Sequence, residues 1–131
     1  SGLDTNHRQL IVYRADGEIH WDADLGGAAS TVECGDGRAF VGAVNGYVHC
    51  FSADGRKHWS RFLAEPVVGL GPSSSGCLVA LSSGEVISLD NDGVPNGATA
   101  ESVGITSTLW TGEELLIGRE DGTISAFSAT R

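Results

Sequence analysis

The chain has 131 residues, with 8 lysines and arginines against 17 aspartates and glutamates and a net charge of −9. That length supports one domain of ordinary size, and so negative a surface repels phosphate backbones and anionic membranes, which excludes nucleic acid as the expected partner. Nineteen glycines beside three prolines argue for many tight turns, and no apolar run approaches the ~18 residues of a membrane-spanning helix.

In chain order, the first expected elements are strands at 10–14 and 18–24, joined at Asp16-Gly17. The segment Ala15-Asp16-Gly17-Glu18-Ile19-His20-Trp21 then returns as Ala53-Asp54-Gly55-Arg56-Lys57-His58-Trp59, an interval of 38 residues from Trp21 to Trp59. The same interval leads on to Asn91-Asp92-Gly93 and keeps Gly46, Gly84 and Gly122 in one register. Apolar positions follow it as well: Leu10, Val48, Val86 and Ile124 align, as do Phe40, Leu78 and Leu116. A fixed period of this length marks a repeat architecture, divided here at about 1–28 (partial), 29–66, 67–104 and 105–131 (partial).

The second repeat is the best preserved and gives four strands, near 29–34, 39–44, 47–52 and 56–62. Period-two runs such as Tyr47-Val48-His49-Cys50-Phe51 carry this reading, because alternate residues of a strand share a face. Asp-Gly at 16–17, 36–37, 54–55, 92–93 and 121–122, with Asn-Gly at 45–46 and 96–97, suits two-residue hairpin turns. In the third repeat, 69–76 reads as the turn between first and second strands, and the outer strand carries Pro95, with Gly97 standing where Trp21 and Trp59 stand before it. That strand is expected to be irregular or an edge. Trp110 lies in a different phase from the other two tryptophans, and the fourth repeat stops after a third strand at 123–128.

No helical stripe persists over three turns, so the class is all-β. One four-stranded antiparallel sheet leaves an apolar face exposed, and packing successive sheets face to face around an axis covers it. The expected fold is a β-propeller of 38-residue blades, about 3.4 to the chain. A β-sandwich would not require an unbroken phase. Because propellers close with roughly four to eight blades, the rest of the ring must come from elsewhere. One arrangement is a homodimer in which the N-terminal fourth strand of one copy completes the last blade of another; the other is a longer native chain. The absence of methionine agrees with Ser1-Gly2 being a processing junction or an excision point.

From Gly42 to Trp59, and again from Gly118 to Phe127, the chain resembles the pyrroloquinoline-quinone-type (PQQ-like) propeller repeat. There, a glycine-led third strand ends in a small residue and a hydrophobe, and a glycine turn leads to a tryptophan docked between blades. Gly46, Cys50, Phe51, Gly55 and Trp59 match those places, as do Val12, Tyr13, Gly17 and Trp21. The resemblance implies a structural, blade-docking role for Trp21, Trp59, Gly17, Gly46, Gly55, Gly84, Gly93 and Gly122. Quinone enzymes of that family use a calcium site and commonly a disulfide between adjacent cysteines. This chain has no adjacent cysteines, and the non-catalytic branch is the expected one.

No catalytic, cofactor-binding or metal-ligating residue is nominated, and no cofactor is expected. His20 and His58 fall in register, but equivalent positions of neighbouring blades diverge, whereas zinc needs ligands converging at about 2.0–2.1 Å. His7 and His49 have no triad companion. The glycine- and serine-rich stretch 69–76 lacks the Gly-Lys-Ser/Thr ending of a phosphate loop. Glu113, Glu114, Glu120 and Asp121 sit beside turns, where solvated carboxylates are ordinary. Cys34, Cys50 and Cys77 form no CxxC pair; they read as buried small hydrophobes and favour a reducing compartment such as the cytoplasm. The leading function is a non-enzymatic scaffold that recognises protein partners through loops at one face of the ring. A small-molecule or ion sensor using the central channel is the alternative, and a quinoprotein dehydrogenase fragment the remote one.

Overall fold

In the computed structural model the described residues are 2–3, 9–13, 16–24, 28–35, 37–99 and 103–128, with the backbone alone given for 2–3, 9–13 and 19–24. They form strands and turns and no helix, in four antiparallel sheets taken in chain order. The first holds β1 (Gly2–Leu3), β2 (Gln9–Tyr13) and β3 (Ile19–Asp24). The second is a complete meander of β4 (Ala29–Gly35), β5 (Arg38–Ala43), β6 (Tyr47–Ser52) and β7 (Lys57–Phe62). The third repeats it with β8 (Val67–Ser73), β9 (Gly76–Leu81), β10 (Val86–Asp90) and β11 (Pro95–Ala98). The fourth holds β12 (Ile105–Trp110), β13 (Glu114–Arg119) and β14 (Ile124–Ser128). The all-β class and the four-stranded blades stand as expected; the strand β1 was not anticipated, so β3 already belongs to a three-stranded sheet.

The period is visible in the irregularities. The outer strand of each of the first three sheets is bulged at the same place, between Val12/Tyr13, Cys50/Phe51 and Ser88/Leu89. Trp21, Trp59 and Gly97 therefore hold one register, opposite Val12, Cys50 and Ser88. A bulge adds one residue and raises local twist, which turns each outer strand relative to its neighbour.

The hairpin turns differ from expectation. Ser52 and Arg56, Asp90 and Val94, and Arg119 and Thr123 close loops of three residues, not two, each ending in a glycine at positive φ: Gly55 (93°), Gly93 (79°) and Gly122 (87°). A type I′ turn would need positive φ at both central residues, but aspartate precedes each of these glycines and only the glycine turns left-handed. In two of the loops that aspartate is the cap, Asp54 accepting from the Arg56 amide and Asp121 from the Thr123 amide; in the third, Asp90 accepts from the Val94 amide. Hydrogen bonds from Ser52 and from Thr123 in turn hold the Asp54 and Asp121 carboxyls below the usual carboxylate range. Asn96-Gly97 forms no turn and lies within β11, whereas most of 69–76 is strand, with only Ser74 and Ser75 turning. Its glycines let the neighbouring sheet approach: a Cβ on Gly71 would meet the Trp110 ring at 2.9 Å.

Innermost strands β4, β8 and β12 lie side by side. Ser30 donates to the Val67 carbonyl and Thr108 to that of Val68, at 3.0 Å, across these seams. Between the second and third sheets Phe40, Val48, Cys50, Leu70, Val79 and Leu89 bury one core. Between the third and fourth, Ala80, Val86, Leu115 and Ile117 bury another. Each internal sheet is thus apolar on both faces, which is what stacking around an axis demands.

Candidate functional site

Two features of the stack can do work: the seams between sheets and the last sheet's outer face. At the first fully described seam, the Trp59 indole donates to the Asn91 carbonyl at 2.9 Å and lies 6.2 Å, ring centre to ring centre, from Phe40. A Cβ on Gly93 would stand 2.5 Å from the indole, so the turn carrying Gly93 is the floor on which the ring rests. Arg61 Nε adds a bond to the Gly93 carbonyl at 2.6 Å, and Arg38 one to that of Ser73 at 3.2 Å. Gly46 and Gly84 meet the chain entering the next sheet: added Cβ atoms would lie 3.0 Å from the Glu65 amide and 2.2 Å from the Val103 carbonyl oxygen. Gly17 and Gly122 face open space within 4 Å. The Trp21 side chain lies outside the described residues, as do those of His7 and His20; Trp21 is placed only by its pairing with Val12.

At the last sheet the pattern breaks. Ile124 is 78% exposed, whereas its repeat equivalents Val48 and Val86 are 0% and 2% exposed. Leu109, on the same face, is 60% exposed. The surface that the second and third sheets turn towards the next is here uncovered, beside β14, an edge strand among the described residues.

The residues weighed for chemistry remain apart. His58, Glu113, Glu114, Glu120 and Asp121 are exposed, and among the described residues no three histidine, cysteine or acidic side chains gather as a metal site. His49 is buried, with Nδ1 2.8 Å from Ser60 Oγ and its ring stacked on Tyr47. Cys34 is exposed, contrary to the expectation for a strand cysteine, because it lies at the end of β4 on its solvent side; Cys50 and Cys77 are buried. Burial pushes the Cys77 thiol from an ordinary 9.0 up to about 12. Burial also raises Cys50, against the opposing pull of Arg38. Because the thiolate is the nucleophile, a chromogenic disulfide reagent under native conditions is expected to modify Cys34 fast and Cys77 only on unfolding; prompt reaction of Cys77 would contradict its placement. With the folded value raised, the Cys77 contribution to stability is fully present below pH 9 and lost as pH climbs towards about 12.

Sheets of four antiparallel strands stacked about common inner strands define the β-propeller class. The fold is shared with BamB from Moraxella catarrhalis, with a TM-score of 0.77 and 23% identity over 92% of this chain and 39% of that one. The computationally designed Ika4 protein matches with a TM-score of 0.80 and 16% identity, over 92% of this chain and 79% of that one. BBS1N, solved in complex with ARL6DN, matches with a TM-score of 0.73 and 20% identity, over 95% of this chain and 41% of that one. No protein-family model and no curated protein matches the chain. At such identities the likeness is one of fold, and the chain spans about two fifths of the length of BamB.

Trp110 was set aside on phase, yet its ring enters the seam between the third and fourth sheets, lying against Gly71 from the first strand rather than the last. Shared register cannot reveal such a contact. A glycine facing it at Gly71 was the available sign.

Proposed function

We propose that this chain is a non-enzymatic protein-interaction module of the propeller class, whose main contact surface is the outer face of its last sheet. The exposure of Ile124, at a place buried in both preceding repeats, carries the reading. Apolar surface of this kind on a sheet face is stabilised by being covered, and the cover that fits a repeat is another sheet of the same repeat. A second copy can supply one whole: its β1–β3 sheet, already paired internally, packs on β12–β14 to continue the ring. Propeller neighbours solved as assemblies, BBS1N with ARL6DN and the mitotic checkpoint complex, support a scaffold role. The correspondence of Gly46, Cys50, Phe51, Gly55 and Trp59 supports the PQQ-like resemblance, and the lack of adjacent cysteines favours its non-catalytic branch.

Light scattering on the purified chain is expected to give about twice 13.6 kDa, and Ile124→Asp to return it to a folded monomer. An unmodified chain that is folded and strictly monomeric at high concentration would end the second-copy reading.

A further inference from the structure

The two described seams are not alike. In the first, Arg38, Trp59 and Arg61 all reach into the third sheet. One period later those places hold Gly76, Gly97 and Thr99. The row behind the indole shrinks with them: Phe40, Cys50 and Trp59 lie side by side across β5, β6 and β7, and Leu78, Ser88 and Gly97 lie side by side across β9, β10 and β11. Trp110 fills only the inner part of the seam, against Gly71.

What remains is a half-open pocket of about 360 Å³, lined by Leu78, Ser88, Asn96, Ser73, Ser75 and Ser128 together with Cys77 and Leu89. Small-molecule sites span roughly 300–1,000 Å³. Two observations show that a side chain is missing at Gly97 without any backbone reason for it. The backbone keeps the bulge and register that present Trp59, with Gly97 opposite Ser88 as Trp59 is opposite Cys50. Gly97 also lacks a positive φ, and a Cβ built on it would meet only the Ser88 Cβ, at an ordinary 3.8 Å. Neither backbone strain nor crowding explains a glycine there.

We infer that this seam is a binding site for an aromatic group of indole size, free or carried on a peptide, which packs where the third sheet lacks the side chain that Trp59 supplies one blade earlier. Leu78 offers the apolar wall, and the hydroxyls of Ser88, Ser73 and Ser75 with the Asn96 amide offer partners to a ring N–H or O–H, the pairing that a buried indole requires. Its described lining is the third sheet with Ser128 of the fourth, away from the face that carries Ile124, so it stands or falls independently of the second-copy reading.

Ligand-observed NMR of the whole chain with indole is expected to show saturable binding. Gly97→Trp, which places the chain's own indole in the slot, is expected to weaken that binding at least roughly tenfold and to raise the unfolding temperature. Should Gly97→Trp fold poorly, Ser88→Leu narrows the same slot and must also weaken indole binding. The tripeptide Gly-Trp-Gly separates the sources: tighter binding than indole assigns a peptide side chain, and binding of indole alone assigns a free aromatic molecule. No saturable binding of either probe, or indole binding left unchanged by Gly97→Trp and Ser88→Leu, overturns the proposal.

Discussion

Trp59→Ala is expected to destabilise the fold by about 3 kcal/mol, the range found when a large aromatic leaves a packed site, read as a drop in denaturant midpoint at unchanged slope. The indole covers Phe40 and the Gly93 turn and donates to the Asn91 carbonyl at 2.9 Å, so its removal leaves a void and exchanges that bond for one to water. Gly93→Ala attacks the same contact from below. Its Cβ would stand 2.5 Å from the ring at a φ of 79°, and a left-handed conformation costs a non-glycine residue about 1–2 kcal/mol before any clash. Combined, the two changes are expected to cost less than their sum by about 2 kcal/mol, because alanine at 59 removes the ring that the new methyl group strikes. Strict additivity in that cycle would mean that the indole does not rest on the turn.

The ease with which the fold was legible has a physical basis. Each blade solves the same packing problem, so Val48, Val86 and their neighbours recur at one interval, and the glycines at 55, 93 and 122 are held there by a positive φ that other residues resist. The turn type was misjudged because an Asp-Gly pair reports where a left-handed residue lies and not how many residues precede it. The inner seams were less legible still. Gly69 and Gly71 look like loop residues in sequence, but they sit within β8 because Thr108 and Trp110 of the following sheet press against them. That is a contact between residues about 40 apart, which alternation within one strand cannot register. Gly97 was legible as a departure from the repeat; only the structure shows the pocket beside its neighbours Ser88 and Asn96.

Arg119 was not marked by the sequence reading at all, and its loss is expected to rival that of Trp59. It ends β13 at 4% exposure and donates through Nη1 to the carbonyls of Gly84 and Val103, at 2.8 and 2.9 Å. Those two acceptors belong to the β9–β10 turn and to the chain entering β12, so one guanidinium ties the third sheet to the fourth. Arg119→Ala strips both carbonyls of a charged donor and opens a void, for which about 3 kcal/mol is expected, since a hydrogen bond to a charged group is worth roughly 1.5–3 kcal/mol. Nε and Nη2, buried with no hydrogen-bond partner among the described residues, work in the opposite direction, because burying polar N–H groups unpaired costs free energy. Arg119→Met, which keeps the volume and removes those groups, is therefore expected to lose less than Arg119→Ala by about 1–2 kcal/mol. If methionine proves the worse of the two in chemical unfolding, the lost volume is no part of the cost; if Arg119→Ala costs less than about 1 kcal/mol, the two carbonyl bonds do not tie the third sheet to the fourth.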